Sequence, residues 1–154
     1  MKKPGSPRLR LLGRVEGLAI YLVNGEKIRD EIDIDFVNGG NEAIYPRYIP
    51  AGEIWIDDAQ HPIDRTATAL HELVERDLML HHGMGYDAAH DAANGHERAF
   101  RQQLVQRPPA RFDDRRLATA YRVYLRERPS RQRSRQLDRE IAAALGHHDR
   151  IGAR

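Results

Sequence analysis

The sequence predicts an α+β fold in which a small antiparallel or mixed sheet is followed by a helical hairpin and then by C-terminal helices. Three observations lead there. Residues 15–58 have the texture of strands and turns, residues 64–101 carry two helical patterns broken at Gly83-Met84-Gly85, and residues 113–145 hold two more stretches with apolar residues at helical spacing. A chain of 154 residues can bury a real core in one domain. With 40% hydrophobic and 31% charged residues it reads as globular, not as disordered or membrane-spanning.

The first ten residues, MKKPGSPRLR, are basic and contain two prolines and a glycine. They lack the apolar core of a signal peptide, and residues 1–12 are expected to form a loose basic arm. No later run approaches the roughly 18 apolar residues of a membrane span, so no membrane association is expected. LAIYLV at 18–23 is the first expected strand. Asn24-Gly25 reads as a hairpin turn into a second strand at 27–36, where Ile32, Ile34 and Phe36 alternate. Asn38-Gly39-Gly40-Asn41 is another expected turn, and the prolines at 46 and 50 imply an irregular connection. EIWID at 53–57 is the last strand, with Ile54 and Ile56 on one face and Trp55 on the other.

The first site helix is expected to start from Asp64 as N-cap, with Ala67, Leu70, Val74 and Leu78 facing the core. His71 and Glu75, four apart, share a face, and Glu72 lies one position round. A second helix beginning near Asp87 places Tyr86, His90, Ala93, Glu97 and Phe100 on one stripe, and its alanines permit close approach. Gly95 weakens the middle of that helix by about 1 kcal/mol relative to alanine. So short a link makes the two helices antiparallel neighbours, bringing both polar stripes together. Burying unpaired imidazoles and carboxylates costs several kcal/mol unless they are paired or bind a metal, which points to a metal site. Since the chain has no cysteine, only histidines and carboxylates are available as ligands. The blander alternatives are a metal-free buried pair of His71 with Glu75, and a surface pair of Glu72 with Arg76. His61, His81, His82 and His96 read as solvated or capping groups, Tyr86 as core with a hydroxyl that could reach a metal-polarised site, and Asp57 and Asp58 as the end of a strand.

Arg107-Pro108-Pro109 separates residues 1–106, the sheet and hairpin, from an arginine-rich helical extension at 107–154, expected to pack on the same domain. Leu117, Tyr121 and Tyr124, then Leu137 and Ile141, form narrow apolar stripes on these last helices. Net charge is only +2, although the arginine-rich ends raise the isoelectric point to about 9.1. Weak contact with nucleic acid through this region is the most that is expected, because no aromatic residues interleave with the arginines. The lack of cysteine suits a reducing cytoplasm. Oligomeric state is not legible.

At His71-Glu72-Leu73-Val74-Glu75 the sequence resembles the zincin metallopeptidases, in which a strand precedes a helix bearing H-E-x-x-H, two histidines bind zinc and the glutamate is the general base. Residues 53–57 match the strand, and His71 and Glu72 match the motif, whereas Glu75 stands where the second histidine belongs. The thermolysin-like branch takes a glutamate from a following helix as its third ligand, a role that falls here to His90. The longer pattern EIWIDD, HELVER, GMGYDAAH and Glu97 is similar to a group of uncharacterised bacterial and phage-type proteins. These resemblances imply a zinc-dependent, peptidase-like hydrolase acting on a peptide or protein, with iron or manganese as the other candidate metals. His71, Glu75 and His90 would be ligands, Glu97 a fourth ligand or the acceptor that orients His90, and Glu72 the general base. The competing expectation is a non-catalytic binding or structural protein, phage-related, whose metal fixes the hairpin. An open coordination position facing Glu72 favours the enzyme, and a closed shell of His71, Glu75, His90 and Glu97 the structural role.

Overall fold

The computed structural model describes residues 5–152, with side chains through Gly146, and has the expected α+β architecture with a mixed sheet. Residues 1–4 of the expected arm lie outside the described residues. The rest of that arm is largely strand: β1 (Arg8–Val15) turns through Glu16 and Gly17, both at positive φ, into β2 (Leu18–Val23). Two successive left-handed residues make the tight turn whose twist suits an antiparallel hairpin. Arg8 is fixed by Glu53, 2.6 Å away, and lies over the Tyr21 ring. The arginines of the arm therefore belong to the sheet.

The expected hairpin at Asn24-Gly25 is instead the start of a helix, α1 (Gly25–Glu31). The Asn24 side chain accepts a hydrogen bond from the Lys27 amide at 3.0 Å, so the asparagine acts as an N-cap. Gly25 answers to a close approach, since a Cβ there would sit 2.3 Å from the Asp57 carboxylate. The Ile32, Ile34 and Phe36 alternation is no strand either: Phe36 is buried while Ile34 is exposed in a turn held by Asp33. The expected turn at 38–41 is confined to Asn38, at positive φ, after which β3 (Gly39–Asn41) runs along the sheet.

With β4 (Glu53–Asp57) the strand order is β1-β2-β4-β3, β2 and β4 being parallel and both outer pairs antiparallel. Ile54 and Ile56 join the main core and Trp55 a smaller one on the other side with Ile28, Phe36 and Ile49, as the alternation of β4 predicts. Asp57 does more than end β4. It is buried and holds Arg29 of α1 at 2.7 Å.

Helix α2 (Pro62–His81) begins with His61 at the N-cap position and Pro62 in the first turn, where a missing N–H costs nothing. Asp64 is thus inside the first turn, where it pairs with Arg101, and is not the cap. Every residue from Thr66 to Glu75 is buried, because α2 lies between the sheet, α3 (Tyr86–Gln106) and α4 (Asp114–Glu127). The link between α2 and α3 closes through Gly83 at positive φ, with the Met84 amide returning to the Leu78 carbonyl at 3.1 Å.

Leu117, Tyr121 and Tyr124 of α4 enter the main core, and Leu137 and Ile141 of α5 (Arg131–Gly152) pack against it. Asp138 accepts from the Gly85 amide at 2.6 Å, so α5 caps the start of α3. Several arginines of the last helices have internal tasks: Arg116 donates to the Gln103 carbonyl, Arg122 pairs with Glu16, and Arg128 pairs with Asp77. Among the described residues, no helix is long and apolar enough to cross a membrane.

Asp77 is buried in α2 and, among the described residues, is served by the Tyr124 hydroxyl of α4 at 2.7 Å and by Arg128, which ends that helix, at 2.8 Å. Asp77→Ala leaves both donors without their acceptor and is expected to lower unfolding free energy by at least about 2 kcal/mol, against about 1 kcal/mol for Tyr124→Phe. Urea titration of both variants checks the order.

Candidate metal centre

The polar groups of α2 that face α3 gather around one carboxylate. Glu75 Oε2 lies 3.2 Å from His71 Nε2 and 2.9 Å from His90 Nδ1. One ligand atom from each of the three residues falls within 4.8 Å of the others, so the group could hold a metal ion. Ligand atoms bonded to zinc at about 2.0–2.2 Å in a tetrahedron are separated by roughly 3.3–3.5 Å, so small side-chain movements would suffice. His71 and Glu75 are buried; His90 is partly open to a cavity of about 430 Å³ that also meets Tyr45, Thr68 and Tyr86.

Glu97 is not where the sequence suggests. One oxygen lies 3.1 Å from His71 Nδ1, on the far side of that ring from Glu75, and the other is 3.0 Å from Arg101. Glu97 is therefore neither a fourth member of the group nor a partner of His90. It stands behind His71, close enough for an ion pair but off the line of a good hydrogen bond, so the buried Nδ1 has no other partner. A chain of charge runs from Asp64 through Arg101 and Glu97 to His71, Glu75 and His90. Its contacts descend α2 as they ascend α3, which makes the two helices antiparallel, as expected.

Glu72 is buried beside the group, so the surface pair with Arg76 does not form; Arg76 instead reaches Glu42. The partner of Glu72 is Asn41 of β3, whose Nδ2 lies 2.7 Å from Glu72 Oε2 and 3.3 Å from Glu75 Oε1. Asn41 is a site residue that sequence reasoning missed, having been absorbed into an expected glycine-rich turn. Its one signal was position, an asparagine ending a short strand beside a helix rich in buried acids. Tyr86 is about half exposed and stacks on His90 with centroids 5.1 Å apart, so it belongs to the site and not to the core. His82 caps α2 and faces Ser134 of α5, and His96 stacks edge-on against Tyr124. Neither reaches the centre. His61 and His81 are exposed.

Burial opposes charge on His71, yet the adjacent carboxylates of Glu75 and Glu97 raise its pKa to about 10. Burial, reinforced by the charge of Glu75, pushes Glu72 up to about 8, against the pull of His71 and the Asn41 amide. Burial and the nearby carboxylates likewise push Tyr45 up to about 12. Glu97 is lowered: burial is outweighed by His71 and Arg101.

Both His71 and Glu72 hold protons in the folded chain that the unfolded chain releases at lower pH. Stabilisation from protonated His71 is complete below about 6.5 and is lost as pH rises through about 10. Ionised Glu72 begins to cost stability once the unfolded chain releases its proton near 4.5, a cost complete above about 8. Chelator-stripped protein is therefore expected to lose thermal stability steadily from about pH 6.5 to 10, and Glu72→Gln to flatten the lower part of that fall. Melting temperatures across the range, with and without Zn²⁺, check this, and added metal should stabilise more at higher pH because it must displace the His71 proton.

Compared with known proteins, the chain matches no protein-family model, no curated protein and no solved structure.

Proposed function

We propose that the protein is a zinc-dependent hydrolase of zincin type acting on peptide bonds, with His71, Glu75 and His90 as ligands and Glu72 as general base. The observation that carries this reading is the position of Glu97 behind His71, because it leaves three converging ligand atoms with Glu72 lining the same cavity, so that a metal held by the three would have room for a water. Two imidazoles and one carboxylate with a free position are the donor set of a catalytic zinc site, whereas structural zinc sites are closed by four protein ligands. Iron(II) and manganese accept similar donors, so the choice of zinc rests on the resemblance of the His71-Glu72 motif together with this three-ligand arrangement.

Bound zinc would supply a Lewis acid that lowers the pKa of water toward about 7 and polarises a carbonyl oxygen. The protein's part begins with Glu72. Its carboxylate takes a proton from the attacking water as the water oxygen bonds to the carbonyl carbon, then gives that proton to the departing amine nitrogen as the C–N bond breaks. Burial raises the Glu72 pKa in the metal-free chain, and a bound dication would lower it again, leaving the carboxylate ionised to accept the proton. The charge of Glu97, 3.1 Å from His71 Nδ1 and paired with Arg101, would favour the tautomer with its proton on Nδ1 and so leave Nε2 for the metal. The cavity opens beside β3, an edge strand of the sheet, where an extended substrate backbone would have access.

Natively purified protein is expected to contain one metal ion per chain, and His71→Ala and His90→Ala each to abolish it, by elemental analysis. Equal metal content in all three would remove the centre. Glu72→Gln is expected to keep both metal and fold while cleavage of a mixed peptide library drops roughly 10²-fold or more. A variant indistinguishable from wild type in both metal and cleavage would move the function to a metal-stabilised binding or structural protein.

A further inference from the structure

We infer that Asn41 is a positioning residue for the candidate metal centre, its one amide group holding Glu72 and Glu75 together so that the outermost strand sets both carboxylates. This rests on the reading of the centre given above. Asn41 is fully buried, and each end of its amide has a different task. Oδ1 accepts from the Ala43 amide at 2.8 Å and from the Ile44 amide at 3.3 Å, which fixes which way the group faces. A reversed amide would turn oxygen toward two carboxylates and leave two backbone donors without an acceptor. The NH2 group must therefore point at the acids, and its two N–H bonds can serve two acceptors at once.

The consequence is a division of labour within each carboxylate. Asn41 lies beside Glu75 Oε1, while Oε2 is the atom near both imidazoles. It holds Glu72 Oε2, while Oε1 takes no hydrogen bond from the described residues. One oxygen of each acid is thus held, leaving Glu75 Oε2 to the imidazoles and Glu72 Oε1 without a partner among the described residues, in a residue that lines the cavity. The donor group also lies between two buried acids that would otherwise repel each other. Nothing bulkier than the local chain would let Asn41 reach this point. A Cβ on Gly39 would lie 3.0 Å from the Thr68 methyl and one on Gly40 2.7 Å from the Tyr45 ring, so the strand passes between α2 and that tyrosine only because both are glycine.

Two substitutions separate the donor from the turn acceptor. Asn41→Ser keeps an oxygen that can accept from the turn amides but is too short to reach the acids. Asn41→Asp keeps the acceptor in place and replaces the donor with a third carboxylate oxygen. Crystal structures of the chelator-stripped proteins report the Glu72 and Glu75 side chains, competition with a chromophoric chelator reports Zn²⁺ affinity, and thermal unfolding reports the fold. Both variants are expected to fold with Glu72 and Glu75 displaced, and Asn41→Ser to bind Zn²⁺ about 10- to 100-fold more weakly. Carboxylates in their wild-type positions would overturn the assignment, as would displaced carboxylates with undiminished Zn²⁺ affinity. A wild type that takes up no Zn²⁺ defeats the hydrolase reading instead, and the carboxylate positions in the same crystals then decide the role of Asn41 alone. If Asn41→Ser does not fold, Asn41→Asp carries the same comparison.

Discussion

The structure depends on one constraint: α2 is buried on every side while carrying His71, Glu72, Glu75 and Asp77 inward. An unpaired ion in such a place costs several kcal/mol, so each of these groups needs a partner supplied by a neighbouring layer. The fold answers in two ways. Asp77 meets a neutralising arginine and a tyrosine hydroxyl from α4, an arrangement that is complete as it stands. His71, Glu72 and Glu75 are only partly compensated. The pKa of His71 is raised to about 10 and that of Glu72 to about 8, and all three residues line a cavity. The first cluster has the character of a structural tie and the second of a group that could hold a metal ion, although the two lie on one helix within two turns of each other.

The same constraint explains why Glu97 and Arg101 matter although neither belongs to the three-residue group. With Asp64 they carry alternating charge along the seam of α2 and α3, so that burying a charged His71 is tolerated. Electrostatics here is not an addition to the packing of the hairpin. Alanines 88, 89 and 93 bring the helices close, and that closeness makes each of the charged contacts short.

What could be read from the sequence was whatever depended on spacing within one element. The pairing of His71 with Glu75, the helical stripe that carries His90, the faces of β4 and the apolar stripe of α4 all follow from periods of 3.6 and 2 residues. What could not be read depended on an approach between elements. Asn24-Gly25 has the composition of a hairpin turn, yet the Asn24 side chain caps a helix and Gly25 makes room for Asp57. The true hairpin turn, Glu16-Gly17, has no such composition. Glu97 shares a stripe with His90 but serves His71, because the antiparallel helix brings its later residues toward the start of α2. Asn41 was beyond reach for the same reason, its importance arising 31 residues further along the chain at Glu72.

That separation has a bearing on how the molecule assembles. The hairpin of α2 and α3 is local and can form early, bringing His71, Glu75 and His90 together from a span of 20 residues. Asn41 arrives only when β3 has paired with β4, and β4 itself must lie parallel to β2 across an intervening helix and loop. Loop closure of that kind is slow relative to helix pairing. In a full-length chain refolding from the unfolded state, the centre would therefore gather its imidazoles before its amide, with the histidines near each other while Glu72 still swings freely. Order of synthesis works against this delay, since residues 8–57 of the sheet leave the ribosome before α2 does.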